Sequence, residues 1–116
     1  METIRRELES WPGVSVEAHR FGGIEFRVNH HEMGHLHGNR LADLPFPVRV
    51  RKELVAAGLA SPHHIMPETG WVSRYISGPD DVPAVIELFR KNYARLTPHI
   101  PGNDVNPAGL SDEAGL

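Results

Sequence analysis

The sequence predicts an α+β domain: a mostly antiparallel sheet of about five strands with helices packed on one face, in the order α-β-β-β-β-α-β-α. Three observations predict it. Short runs of period-two alternation, bounded by Gly, Pro and Asn, fill residues 14–44, the pattern of consecutive antiparallel strands. Stripes of apolar residues at helical spacing occur near the start, in the middle and through residues 81–96. The strands run together with hairpin connections, in an order that makes a mostly antiparallel sheet with helices covering one face, hence α+β.

Residues 2–10 form the first predicted helix, with Ile4 and Leu8 on one face and Trp11 just beyond; Pro12-Gly13 stops it. Val14, Val16 and Ala18 alternate with polar residues in a first strand, and Phe21-Gly22-Gly23 turns it. Ile24, Phe26 and Val28 give the second strand its inner face. Asn29-His30-His31 connects it to a third strand over Glu32–His37, and Gly38-Asn39 supplies the positive-φ residues of a tight turn. A fourth strand over Leu41–Leu44 ends at Pro45-Phe46-Pro47. Pro47 suits the first position of a helix over residues 47–58, and Gly58 suits its C-terminal cap. Ser61–Gly70 reads as a loop and Trp71–Ile76 as a fifth strand. Asp80 and Asp81 sit in the first turn of a last helix, where acids complement the dipole. Val82, Val85, Ile86, Phe89, Tyr93 and Leu96 make its stripe. From Thr97 the chain is rich in Pro, Gly, Asn and Asp without periodicity, so residues 1–96 form a single domain and residues 97–116 a flexible tail.

At 116 residues and 23% charged residues, the chain has the size and composition of one ordinary globular domain. No apolar run is long enough to span a membrane, and METIRRELES lacks the apolar core of a secretory signal. With no cysteine there is neither a disulfide framework nor a thiolate ligand, and a cytoplasmic location is expected. The net charge of −3 belongs to Asp104, Asp112 and Glu113 in the tail, leaving the body neutral. A neutral body lacks the basic footprint of nucleic-acid binding.

The chemistry concentrates in His30 to Pro47, where four of the eight histidines fall within eight residues. On a strand, positions i and i+2 share a face, so His35 and His37 point the same way with Leu36 opposite. Two such imidazoles can chelate one divalent ion, with His63 or His64 supplying a third nitrogen and Asp43 or Glu68 a carboxylate. Equally, these histidines can bond one another or the backbone and line a polar pocket. Arg20, Glu25, Arg27 and Arg74 lie on alternating positions; an arginine beside the histidines can clamp an anion, or form a surface ion pair. Trp71 can stack on a planar ligand or fill the core. His35 or His64 can serve in acid–base work. Arg49, Arg51 and Lys52, with Arg90, Lys91 and Arg95, form two basic clusters that read as solvated helix faces. Ser73 and Asp43 are present, but the nucleophile-elbow pattern of a serine hydrolase is not.

Taken together, Trp11-Pro12-Gly13, Arg20-Phe21-Gly22-Gly23 with Glu25-Phe26, Gly34-His35, His37-Gly38, Asp43, Pro45-Phe46-Pro47, His63-His64, Pro67 and Gly70-Trp71-Val72-Ser73 resemble the luciferase-domain family of small proteins. The resemblance runs from about Ile4 to Leu96. The family name implies light-emitting oxidation, yet no phosphate-cradling Gly-rich loop or adenylating motif accompanies it here. The expected function is therefore a histidine-lined pocket for a small polar or anionic ligand, with a divalent metal as the candidate cofactor. Its expected ligand-binding residues are His35, His37, His64, Arg20 and Trp71, and its expected metal ligands are His35, His37 and His63. The competing expectation is a regulatory module that contacts nucleic acid or protein through its helices.

Overall fold

A computed structural model describes residues 2–19 and 22–98; Arg20 and the tail beyond Pro98 lie outside the described residues. The elements are α1 (Glu2–Glu9), β1 (Ser15–Ala18), β2 (Ile24–Val28), β3 (His31–His37), β4 (Leu41–Pro45), α2 (Val48–Ala56), β5 (Ser61–Pro62), β6 (Trp71–Tyr75) and α3 (Asp81–Leu96). They build one six-stranded sheet, ordered β1-β2-β3-β4-β6-β5, in which every neighbouring pair is antiparallel. The α+β class and the element order are as the sequence predicts, with one strand more. The addition is β5, inside the stretch read as loop; at two residues it is too short to carry a period.

Local chemistry explains the joints. Asn29 and His30 both have positive φ, 53° and 67°, between the paired residues Val28 and His31. That is the type I′ geometry that matches strand twist in a two-residue hairpin. Pro47 sits just before α2 rather than inside it. At the other end Gly58, with φ 75°, donates to Val55 O while Leu59 N–H reaches Leu54 O, a Schellman stop. Thr97, expected in the tail, is instead buried, and its hydroxyl donates to Tyr93 O at 2.6 Å.

The helix side of the sheet presents Phe26, Met33, Leu36, Ala42, Leu44 and Val72, all without exposed area. The stripe of α3 lies over β3 and β4, and Phe89 meets Phe26 edge-on at 5.4 Å between ring centres. Fully burying a side chain of this kind stabilises by roughly 1.5–3 kcal/mol. Buried Asn92 donates to Met33 O and Pro45 O at 2.8 and 2.9 Å, tying the helix to two strands. Helix α1 packs on α3, and Trp11 packs on Tyr93, whose O–H donates to Pro12 O at 2.7 Å.

One irregularity decides what the opposite face carries. Between Phe26 and Arg27 the pairing slips, so that Phe26 opposes Gly34 and Arg27 opposes Glu32. Met33 is the extra residue of a β-bulge. In unbroken alternation Met33 would share a face with His35, and Glu32, three residues before it, would not. The bulge reverses both: Met33 enters the core, and Glu32 reaches His35. Gly34 permits it, with φ 153° and room for no side chain. A Cβ there would lie 2.8 Å from both Asp43 O and Phe89 Cε1.

Candidate metal centre

The turn after β3 sets the register that assembles the site. His37 pairs with Leu41, Leu36 with Ala42 and His35 with Asp43. Across the next strand boundary Asp43 opposes Ser73, and Pro45 opposes Trp71. Directly paired residues share a face, so His35, Asp43 and Ser73 form a row across three strands on the side away from the buried apolar set. The segment after β5 adds His63 and His64. Its course is fixed by Arg51 of α2, whose guanidinium donates to Pro67 O at 2.6 Å and Thr69 O at 3.0 Å.

Asp43, 1% exposed, is the hub. Its Oδ1 accepts the Ser73 hydroxyl at 2.7 Å. Its Oδ2 faces four imidazole Nε2 atoms: His37 at 3.2 Å, His64 at 3.3 Å, His35 at 3.4 Å and His63 at 3.5 Å. Ring contacts tighten the group. His19 stacks on His35 at 4.1 Å, His63 on His64 at 4.3 Å, and His35 meets His37 edge-on at 4.8 Å. Trp71 leans on His35 and His63, at 5.5 and 5.9 Å.

Hydrogen bonds on the far nitrogens distinguish two histidines. The Nδ1 of His35 lies 2.7 Å from Glu32 Oε2. A carboxylate accepts, so Nδ1 carries a proton, and whenever the ring is neutral its lone pair lies on Nε2. His63 is the reverse. Its Nδ1 accepts the backbone N–H groups of Ile65 and Met66, both at 3.1 Å, which leaves Nε2 as the protonated nitrogen.

The electrostatics follow from burial against pairing. Burial pushes the His35 pKa down, but the carboxylates of Asp43 and Glu32 outweigh it and push it up to about 9. Burial would raise the Asp43 carboxyl, yet bonds from His35, Ser73 and His64 hold it well below the usual carboxylate range. For His63 burial wins over the attraction of Asp43, and its pKa is lowered.

Among the described residues three groups place His and acidic donor atoms within 4.8 Å of one another: His35, His37 and Asp43; Asp43, His63 and His64; and His19, Glu32 and His35. Two imidazoles and one carboxylate are a donor set suited to Zn²⁺ or to non-haem Fe²⁺ with open positions.

Of the residues expected from sequence, His35, His37, His63, His64 and Trp71 come together, and Asp43 is the carboxylate beside them. Arg20 lies outside the described residues. Glu68 is exposed on the loop. Arg27 is engaged by Glu25 at 2.6 Å. Arg74 sits opposite Ala42, on the helix side, bonded to Asp81 and Leu59 O. Sequence reasoning missed His19 and Glu32. Asp43's central place was legible, because counting back through the turn sets it across from His35. An aspartate inside an apolar strand is itself a signal, since Asp is seldom fully buried without a partner.

A family model described as Luciferase domain matches residues 30–92, more than half of the chain. The matched span holds His35, His37, Asp43, His63, His64, Trp71 and Ser73, and leaves out His19. No curated protein and no solved structure matches the chain. The chain belongs to the luciferase-domain family.

Proposed function

We propose that this domain holds a divalent transition metal on His35, His37 and Asp43, within reach of His64, and binds a small anionic ligand at the metal's open positions. One observation carries the reading. A single carboxylate oxygen faces four imidazole nitrogens at 3.2–3.5 Å, whereas each carboxylate oxygen has about two acceptor sites. Those separations are long for charge-assisted hydrogen bonds. They match the edge of a tetrahedron: two ligand atoms about 2.1 Å from one ion lie about 3.4 Å apart. The Glu32 contact to His35 is the outer carboxylate commonly found behind a metal-bound imidazole. The ion would act as a Lewis acid, polarising an oxygen of the bound anion.

The reading of a nucleic-acid or protein-binding module has less behind it. Of its basic residues, Arg51 is bonded to the loop, Arg90 lies over Trp11 with its guanidinium 4.4 Å from the ring centre, and Arg95 bonds Asn92 and Pro45 O. No described helix is long and apolar enough to cross a membrane.

The test is metal analysis and calorimetry on protein purified without a histidine tag. Wild type should take up about one Zn²⁺ or Co²⁺ per chain, as a mononuclear site does, and chelator should lower its melting temperature. His35→Ala, His37→Ala and Asp43→Asn should each abolish uptake while remaining folded. Wild-type protein with no metal affinity beyond that of the three variants would leave the histidines as a hydrogen-bonded cluster only.

A further inference from the structure

We infer that His63 is not a ligand of this centre but a fixed N–H donor to the anion bound on the metal, a small oxyanion such as a carboxylate. The inference rests on the metal reading above. Its basis is the direction in which His63 is held. Two backbone amides, of Ile65 and Met66, both point their hydrogens at Nδ1 from 3.1 Å. A nitrogen that accepts two N–H groups carries no proton, so the ring's proton resides on Nε2. Metal ligation needs a lone pair, and a protonated Nε2 has none. It does have a hydrogen, and that hydrogen faces the Asp43 oxygen around which the other imidazoles converge, 3.5 Å away.

The ring is also prevented from turning. His63 is 6% exposed, stacked on His64 and edge-on to Trp71. A flip would place a carbon where the two amides find their acceptor and would break both bonds. The neighbouring His64, a third exposed at its side chain, accepts no backbone amide at Nδ1 among the described residues, and its Nε2 stays able to ligate. The adjacent pair thus divides the work. His64 could close on the ion, while His63 would present a donor to an oxygen of the bound oxyanion. A donor of fixed direction favours an oxyanion over a neutral ligand.

Side-chain amides separate the two nitrogens of His63. Asparagine Oδ1 can occupy the Nδ1 position and keep the loop amides satisfied without any donor at Nε2. Glutamine Nε2 can replace the donor. The full chain is loaded with Co²⁺, whose visible absorption changes on anion binding, and titrated with formate. His63→Asn should bind Co²⁺ like wild type and bind formate about tenfold more weakly, the loss of one charge-assisted hydrogen bond. His63→Gln should recover part of the formate affinity. In wild-type protein loaded with Zn²⁺, ring nitrogen chemical shifts should place the His63 proton on Nε2 and leave Nδ1 unmetallated, a measurement that needs no variant to fold. Loss of Co²⁺ binding in His63→Asn, unchanged formate affinity in that variant, or a metallated His63 ring would each overturn the inference. Wild-type protein that takes up no Co²⁺ would overturn the metal reading, and this one with it.

Discussion

Chelator-treated protein should lose stability as the pH rises from 6.5 to 9, and His35 is the cause. The native pKa of His35 lies at about 9, against 6.5 for the unperturbed side chain. Between those values the folded chain holds a proton that the unfolded chain has released, and stability falls with pH wherever the native state binds more protons. The contribution is fully present below pH 6.5 and gone above about 9. His63 does not blur this window, because its lowered pKa puts its titration below 6.5. The gap between 6.5 and about 9, at about 1.36 kcal/mol per pH unit, is worth at most about 3 kcal/mol. The His35 side chain is only 10% exposed, so solvent screening takes little from that figure. In a domain of this size each kcal/mol moves the melting temperature by about 4–8 °C, which makes a fall above 10 °C the upper expectation. Urea titrations at half-unit steps of pH, with chelator present throughout, measure it directly. His35→Gln, which cannot titrate, should flatten the profile across the same range. A wild-type profile that stays level or rises, or a variant that slopes as steeply, would refute the assignment of the proton to His35.

Further expectations concern the scaffold. Gly34→Ala forces a Cβ to within 2.8 Å of Asp43 O and Phe89 Cε1 at φ 153°; it should cost roughly 2–4 kcal/mol in denaturant unfolding and weaken metal uptake by shifting the Asp43 backbone. Phe89→Ala empties a fully buried position against Phe26 and should cost about 3–5 kcal/mol, so near wild-type stability would show that the inner face of α3 is misassigned. Tyr93→Phe removes only the bond to Pro12 O and should cost about 1 kcal/mol; a loss several times larger would mean that this bond alone seats α1.

What was legible in the sequence and what was not divide along one physical line. Regular spacing is visible: the stripe Val85, Phe89 and Tyr93 lies buried as the helical period requires, and His35 and His37 share a face as the strand period requires. Contacts fixed by irregular backbone are not. Met33 and Glu32 change faces at a bulge that alternation cannot foresee, and two-residue β5 is too brief to register as a strand. His63 could be named as a histidine near the site, but which nitrogen it offers depends on two loop amides. His19 falls just beyond β1, and only the folded pairing of β1, β2 and β3 sets it against His35.

The bulge on β3 also changes what a search for related centres should look for. In a flat strand an outer carboxylate able to reach a histidine would stand an even number of residues from it. Here the extra residue makes the productive spacing odd, and glycine must occupy the place that approaches the neighbouring strand. The resulting word is Glu-x-Gly-His-x-His followed by five residues and Asp, spelled by Glu32, Gly34, His35, His37 and Asp43. Each interval has a mechanical origin: three residues across the bulge, two along the strand, six around the turn to the paired strand. A chain that keeps both histidines and the aspartate but places its acid two residues upstream, without the glycine, should have a straight strand there. Its core would then need another residue to fill the position that Met33 occupies here.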